Sequence, residues 1–303
     1  MAELTIGTPV KASRKSRRRA KHSRLNRSFG GDVGVNAFLI LIGFFMVLPL
    51  VYTIVTAFKP FEELWIFPPR FFRVDNPTFR NFTDLFRILT LSDIPFTRYL
   101  FNTLLVSVVG TAGHVLVASM AAYMFAKRKF PGSVLMFRLI VTALMFNAAV
   151  TVIPNFMILS RLGFVDTYLA LIIPAFGAPL GLYLMKQFME QMIPDSLLEA
   201  ARIDGASEWT IFSRIVMPII KPAWLTLMIL SFQGLWNIGG TALIQSEELK
   251  TLNFAMSQIL AGGIARAGVG AAAAVIMLIV PLTAFIVTQS NIVQTMGSSG
   301  MKD

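Results

Sequence analysis

Cysteine is absent from this chain of 303 residues, and histidine occurs only twice, at His22 and His114. Without thiols there is no disulfide framework and no thiolate metal site. Two histidines so far apart supply no paired metal ligands, so no metal ligand is assigned. Charge is also scarce: Asp, Glu, Lys and Arg make up 14% of the residues, where a soluble domain carries about a quarter. Hydrophobic residues reach 55%, and the mean hydropathy is +0.67. A glycine-rich phosphate loop ending in Gly-Lys-Ser or Gly-Lys-Thr is missing, so any ATP is expected to be hydrolysed elsewhere. A serine hydrolase built on Ser107 or Ser119 needs a base beside the serine. The chain reads as a non-enzyme with no catalytic residue.

What is present is apolar length. No charged residue interrupts 33–58, 99–126, 139–160, 167–185, 222–246 or 267–301. Each stretch meets the roughly 18 apolar residues that a helix needs to cross the hydrocarbon core, and a helix satisfies its own backbone there. The expectation is an all-α integral membrane protein with six transmembrane helices. The expected divisions are a basic tail (1–32), a first span (33–58), a loop (59–97), a core of five spans (98–290) with a polar insert at 190–221, and a closing tail (291–303). The first span exceeds a cleaved signal's apolar core, and no small-residue cleavage site follows it.

The net charge of +11 is concentrated before the first span, in Lys11, Arg14, Lys15, Arg17, Arg18, Arg19, Lys21, Arg24 and Arg27. Such a cluster is drawn to anionic headgroups and holds the N-terminus in the cytoplasm. No aromatic platform accompanies it, which argues against nucleic acid. Six spans then put both termini in the cytoplasm. They place 59–98, with Pro60, Pro68, Pro69, Pro77 and Pro95, outside as a cap of turns and brief helices. The connection with Lys127, Arg128, Lys129 and Arg138 falls inside and that with Arg161 outside, as the positive-inside rule requires. The loop 247–266 falls outside, with a mobile-looking Ala261-Gly262-Gly263.

The polar insert is short and ordered. Asp195 or Ser196 is placed to cap a helix, with Leu197, Leu198, Ala201 and Ile203 as its apolar edge and Glu199, Arg202 and Asp204 as its polar side. Gly205 ends that helix. Ser207 is placed to cap a second one, in which Ile211, Phe212, Ile215 and Val216 recur at roughly helical spacing, before Pro218 and Pro222 close it. Small Ala200 and Ala201 let another surface approach, and Glu199 offers an acceptor to a basic partner. From the residues alone, a hairpin touching only lipid fits as well.

Glu199-Ala200-Ala201, three residues, Gly205, nine residues, Ile215, and then Met217-Pro218 resembles the EAA loop of the permease subunits of ABC importers. Phe101-Asn102-Thr103, Ala121-Ala122-Tyr123, the run from Lys127 to Gly132, Leu162 to Tyr168 and Pro194-Asp195 are similar to the maltose-type carbohydrate permease family, whose binding-protein-dependent members include a smaller permease subunit of this kind. The closing run from Thr295 to Lys302 is similar to tails in the oligosaccharide branch. The resemblance extends from about Gly34 to the C-terminus.

That resemblance implies a type I ABC importer architecture in a bacterial cytoplasmic membrane. The chain would form half of a sugar path, for an oligosaccharide, beside a second permease. Two cytoplasmic ATPase subunits, carrying ATP and Mg that this chain does not bind, and an extracellular solute-binding protein would complete the machine. Glu199, Ala200, Ala201, Arg202, Asp204, Gly205 and Pro218 would form the ATPase-coupling loop. The loop 247–266 would reach the binding protein, and 298–303 would reach between the ATPases. Asn147, Asn155, Gln233 and Asn237 would meet sugar hydroxyls, with Trp236 stacking on a pyranose; bonding between helices is the alternative. For His114, near Gly110, Gly113 and Ala118, packing is expected. Family members often continue Trp-Asn with a carboxylate, whereas Trp236-Asn237 is followed by Ile238-Gly239-Gly240, which suggests a break there. A secondary transporter or channel is the competing class, but those commonly need intramembrane charge, which the six stretches lack.

Overall fold

The computed structural model describes residues 29–91, 94–239 and 242–299. Lys11 to Arg27, Gly240 and 300–303 therefore lie outside the described residues. The chain divides into two units, Met1–Leu50 and Val51–Asp303. In the first, the described residues begin helix α1 (Phe29–Ala57), whose Phe38, Leu41, Phe44 and Phe45 are all exposed, a surface suited to lipid.

In the second unit, α2 (Phe61–Leu64) and α3 (Arg80–Leu91) follow the end of α1. The Asn81 amide ties α3 to the end of α1 by donating to the carbonyls of Ala57 and Lys59, at 2.9 and 2.7 Å. Then come α4 (Phe96–Lys127), α5 (Ser133–Ala143), α6 (Ala148–Arg161), α7 (Leu169–Phe176) and α8 (Pro179–Met192). The polar insert holds α9 (Asp195–Ile203), α10 (Glu208–Thr210), a π-helical turn (Ile211–Val216) and α11 (Met217–Ile219). The chain closes with α12 (Lys221–Trp236), α13 (Leu252–Leu260) and α14 (Ala267–Ser299). Among the described residues every regular element is a helix.

Helix α4 is the axis of the unit and packs on α7, α8 and α12. Close approach to α8 rests on Gly181, where any side chain would collide with His114. His114 itself bridges three elements. Its Nε2 lies 3.3 Å from the carbonyl of Ala178, which can only accept, so the proton sits on Nε2 and Nδ1 takes the Ser231 hydroxyl at 3.0 Å. That is the packing role expected of it.

The six expected spans are realised unequally. Val33–Ala57, Phe96–Lys127, Leu169–Met192 and Ala267–Ile286 are long and apolar enough to cross a bilayer. A fifth is met if Glu208–Ile219 and Lys221–Trp236, bent by 80°, count as one broken span. The third expected span is divided into α5 and α6, because the Asn147 side chain accepts from Ala149 N–H at 2.9 Å and starts a new helix. Apolar composition reads continuously through 144–146 and cannot register that cap. The fifth helix stops at Trp236, short of 246, just where Ile238-Gly239 announced a break.

Candidate functional site

The Glu199 insert folds as two short helices meeting at a glycine corner. Gly205 has φ +80°, a conformation costly for side-chain-bearing residues. Around it Gly205 N–H donates to Arg202 O (3.1 Å) and Ala206 N–H to Ala201 O (3.0 Å). These two bonds form a Schellman ending that satisfies the last carbonyls of α9. Ser207 then caps α10 by accepting from Thr210 N–H at 3.2 Å, as expected. The α9 cap is different: Pro194 precedes the helix without a side-chain bond, and Asp195 instead takes the Lys127 ammonium at 2.8 Å. That hydrogen bond and charge hold the Asp195 carboxyl below the usual carboxylate range.

Helix α9 turns Leu198 and Ala201 inward, one turn apart, into a core shared with Tyr123, Met185, Met189, Ile211 and Phe212. The wider π-turn brings Ile211 and Val216, five residues apart, into that same core. Ile203 does not belong to the buried edge expected for it and is 86% exposed. It lies instead with Glu199, Ala200, Asp204 and Gly205 on the outer surface. Glu199 has no hydrogen-bond partner among the described residues. Pro218, also exposed, precedes the 80° corner, which Trp224 braces by donating its indole N–H to Met217 O at 3.1 Å.

Ala201, turned inward on α9, departs from the expected docking set, and so does Arg202. Its Nε donates to Glu208 Oε1 at 2.9 Å, so its guanidinium is turned within the chain. Glu208 also accepts the Tyr123 hydroxyl at 2.7 Å and pairs with Arg128. Lys127, with its side chain 5% exposed, donates to Ile193 O at 2.7 Å as well as to Asp195. The role of Glu208 was not read from the sequence. Its signal is three-dimensional, since partners at 123, 128 and 202 converge only on folding.

The expected path residues separate into three groups. Gln233 and Asn237 line a cleft of about 410 Å³ together with Asn253, Met256, Gly270 and Met277. Asn253 of α13, unmarked in the sequence, donates to Asn237 O. Trp236 is 1% exposed, donates to Met277 O at 3.2 Å and stacks on Phe232, so its ring is engaged in helix packing rather than presented to the cleft. Asn147 caps α6, and Asn155 lies half-buried on the same helix, away from the residues lining the cleft.

At the opposite end of α4, the segment 242–251 is tied down closely. Asn102 donates to Glu248 O and Lys250 O, at 2.7 and 2.8 Å, and accepts the Tyr168 hydroxyl at 2.7 Å. Thr103 accepts from Leu252 N–H at 2.7 Å. Asp166, at φ +62°, receives the N–H groups of Gln245 and Ser246 at 2.9 and 2.8 Å, and the Ser246 hydroxyl. Those hydrogen bonds, the Ser246 hydroxyl first, hold its carboxyl below the usual range. The mobile-looking 261–263 follows an ordered α13.

A family described as "Binding-protein-dependent transport system inner membrane component" matches residues 114–296. The polygalacturonan/rhamnogalacturonan transport system permease protein YtcP of Bacillus subtilis is 32% identical, over 72% of this chain and 73% of that protein. The arabinooligosaccharides transport system permease protein AraQ of Halalkalibacterium halodurans is 30% identical, over 72% and 78%. A chain of a bacterial ABC transporter that imports the acidic polysaccharide alginate superposes with a TM-score of 0.73 at 22% identity, covering 88% of this chain and 99% of that one. The fold is therefore shared with a solved importer.

Proposed function

We propose, because this chain belongs to the family of binding-protein-dependent transport system inner membrane components, that it is one permease subunit of a bacterial ATP-driven oligosaccharide importer. The observation that carries this reading is the outer surface of α9. Glu199 and Ala200 are exposed on a helix whose other side is packed on α4 and the π-turn. A carboxylate beside a residue with almost no side chain lets a basic partner surface come close. The partner is a cytoplasmic ATPase, one of two, which holds ATP and Mg. Glu199, Ala200, Asp204, Gly205 and Pro218 form the seat, and Ala201 and Arg202 shape it from within.

The sugar class is supported by the relatives named for polygalacturonan/rhamnogalacturonan and arabinooligosaccharides transport. A second permease completes the path, to which this chain contributes Gln233, Asn237 and Asn253. A solute-binding protein delivers cargo outside, near the segment 242–266. The protein sits in the cytoplasmic membrane with both termini and α9 on the cytoplasmic side. The divisions are a basic tail 1–32, a first span 33–58, an external loop 59–97, a core 98–290 and a C-terminal tail 291–303.

The test is reconstitution in proteoliposomes with the neighbouring ATPase, second permease and binding protein. Uptake of radiolabelled oligosaccharide should require ATP and the binding protein, and the chain alone should hydrolyse no ATP. Uptake driven by a proton or sodium gradient without ATP would overturn the proposal in favour of a secondary transporter.

A further inference from the structure

A docking surface on α9 moves the membrane helices only if α9 is fastened to one of them. Chain connectivity joins α9 to α8 through Ile193-Pro194 and to α12 through the π-turn and the 80° corner. The polar ties run to α4 instead. At the start of α9, Lys127 from the last turn of α4 holds both Ile193 O and the Asp195 carboxylate. Past its end, the Glu208 carboxylate gathers Arg202 of α9 with Tyr123 and Arg128 at the end of α4. Between the two lies Gly205, exposed, at positive φ, with nothing within 4 Å of an added Cβ. With no side chain there, two backbone hydrogen bonds hold the corner. Helix α9 is nine residues long, too short to be stable alone, and it buries only Leu198 and Ala201. The ties at its two ends add polar attachments to that small apolar contact.

We infer that Glu208 is a transmission residue: its carboxylate binds α9 to the last turn of α4, so that a displacement of α9 is delivered to α4 rather than taken up at the Gly205 corner. Bonds to an ionised carboxylate are about twice as strong as neutral ones. Tyr123 is 4% exposed, so water reaches its bond from the side of Glu208, whose side chain is 41% exposed. Glu208 lies outside both the proposed ATPase seat and the polar cleft, and it is a positioning residue. The inference rests on the proposed docking of an ATPase at Glu199.

The test uses the whole reconstituted complex and measures ATP hydrolysed per sugar imported, with the copurifying ATPase quantified in the same preparation. Glu208→Gln keeps the shape of the side chain and removes its charge. Tyr123→Phe removes one hydroxyl and leaves the packing intact. Hydrolysis per sugar should rise about tenfold in Glu208→Gln, within the ordinary range of coupling energies between sites. It should rise about threefold in Tyr123→Phe, the worth of one hydrogen bond, and Glu208→Asp should fall between wild type and Glu208→Gln. A purely structural role would lower yield and melting temperature and leave that ratio unchanged. An unchanged ratio in all three variants, with ATPase bound, overturns the inference while the docking proposal stands. If Glu208→Gln fails to assemble, the ratio in Tyr123→Phe decides. A wild-type complex that recruits no ATPase overturns both.

Discussion

His114 fills the space left by the missing side chain of Gly181: a Cβ added there would lie 2.2 Å from the imidazole Nε2. Because Nε2 also donates to Ala178 O, the ring cannot retreat without losing a bond. Gly181→Ala should therefore destabilise the purified protein by about 1–3 kcal/mol, as overpacked cores do, read as a lower melting temperature in detergent. His114→Ala in the same chain should recover part of the loss; strict additivity of the two changes would show that the contact is not the cause.

Glu199→Lys should leave expression and melting temperature unchanged, since the side chain has no partner within the described chain. It should weaken ATPase association by about 2 kcal/mol or more, the scale of an interface hot spot. Pull-down of the ATPase with tagged permease reads this directly. Full recovery of ATPase with the variant contradicts the docking role.

Gly205→Val should cost roughly 1–2 kcal/mol through its backbone alone, because the space around it is open while φ is +80°. Gly205→Asn, tolerated in the left-handed region, should cost less. Equal melting temperatures for the two variants would remove the strain argument.

Asp166 gives the segment 242–251 a pH dependence of defined sign. Its folded pKa is depressed, mainly by the Ser246 hydroxyl. The stabilisation is thus complete above the unfolded value of about 3.9 and is lost as pH falls through the lower folded value. The protection factors of the Gln245 and Ser246 N–H groups, taken relative to intrinsic exchange at each pH, should hold at pH 5 and fall only below about pH 4. Asp166→Ala should show low protection factors at both pH values. Protection that fades already between pH 7 and 5 would assign it to another group.

Gln233→Leu and Asn253→Leu should each lower sugar uptake about fivefold, the worth of one hydrogen bond, with ATPase still bound. Unaltered uptake in both would mean that the cleft is not on the path.

The sequence made α9 and its Glu199 surface legible because motif spacing, a helix-ending glycine and capping residues are local signals. It also announced the stop after Trp236. It misread the division of 139–160, since one asparagine cap outweighs continuous apolarity there. It placed Ile203 inside because a nine-residue helix has too few turns to fix its phase. Arg202 was drawn outward by its charge, whereas Glu208, Tyr123 and Arg128 meet it only in three dimensions. Trp236 carried the chemistry of a sugar platform, and the fold spends that ring on α14.

Helix α4 has 32 residues and no proline, and at 1.5 Å per residue it is a rod of about 48 Å. Its first turns are bonded to the segment 242–252 and its last turn to α9. Turning such a rod by about 10° around its midpoint carries each end about 4 Å, in opposite directions. Its two attachments then share a single degree of freedom, like the pans of a balance. A ligand that favours one tilt at either end changes the affinity at the other end, and is itself affected, by the same free energy.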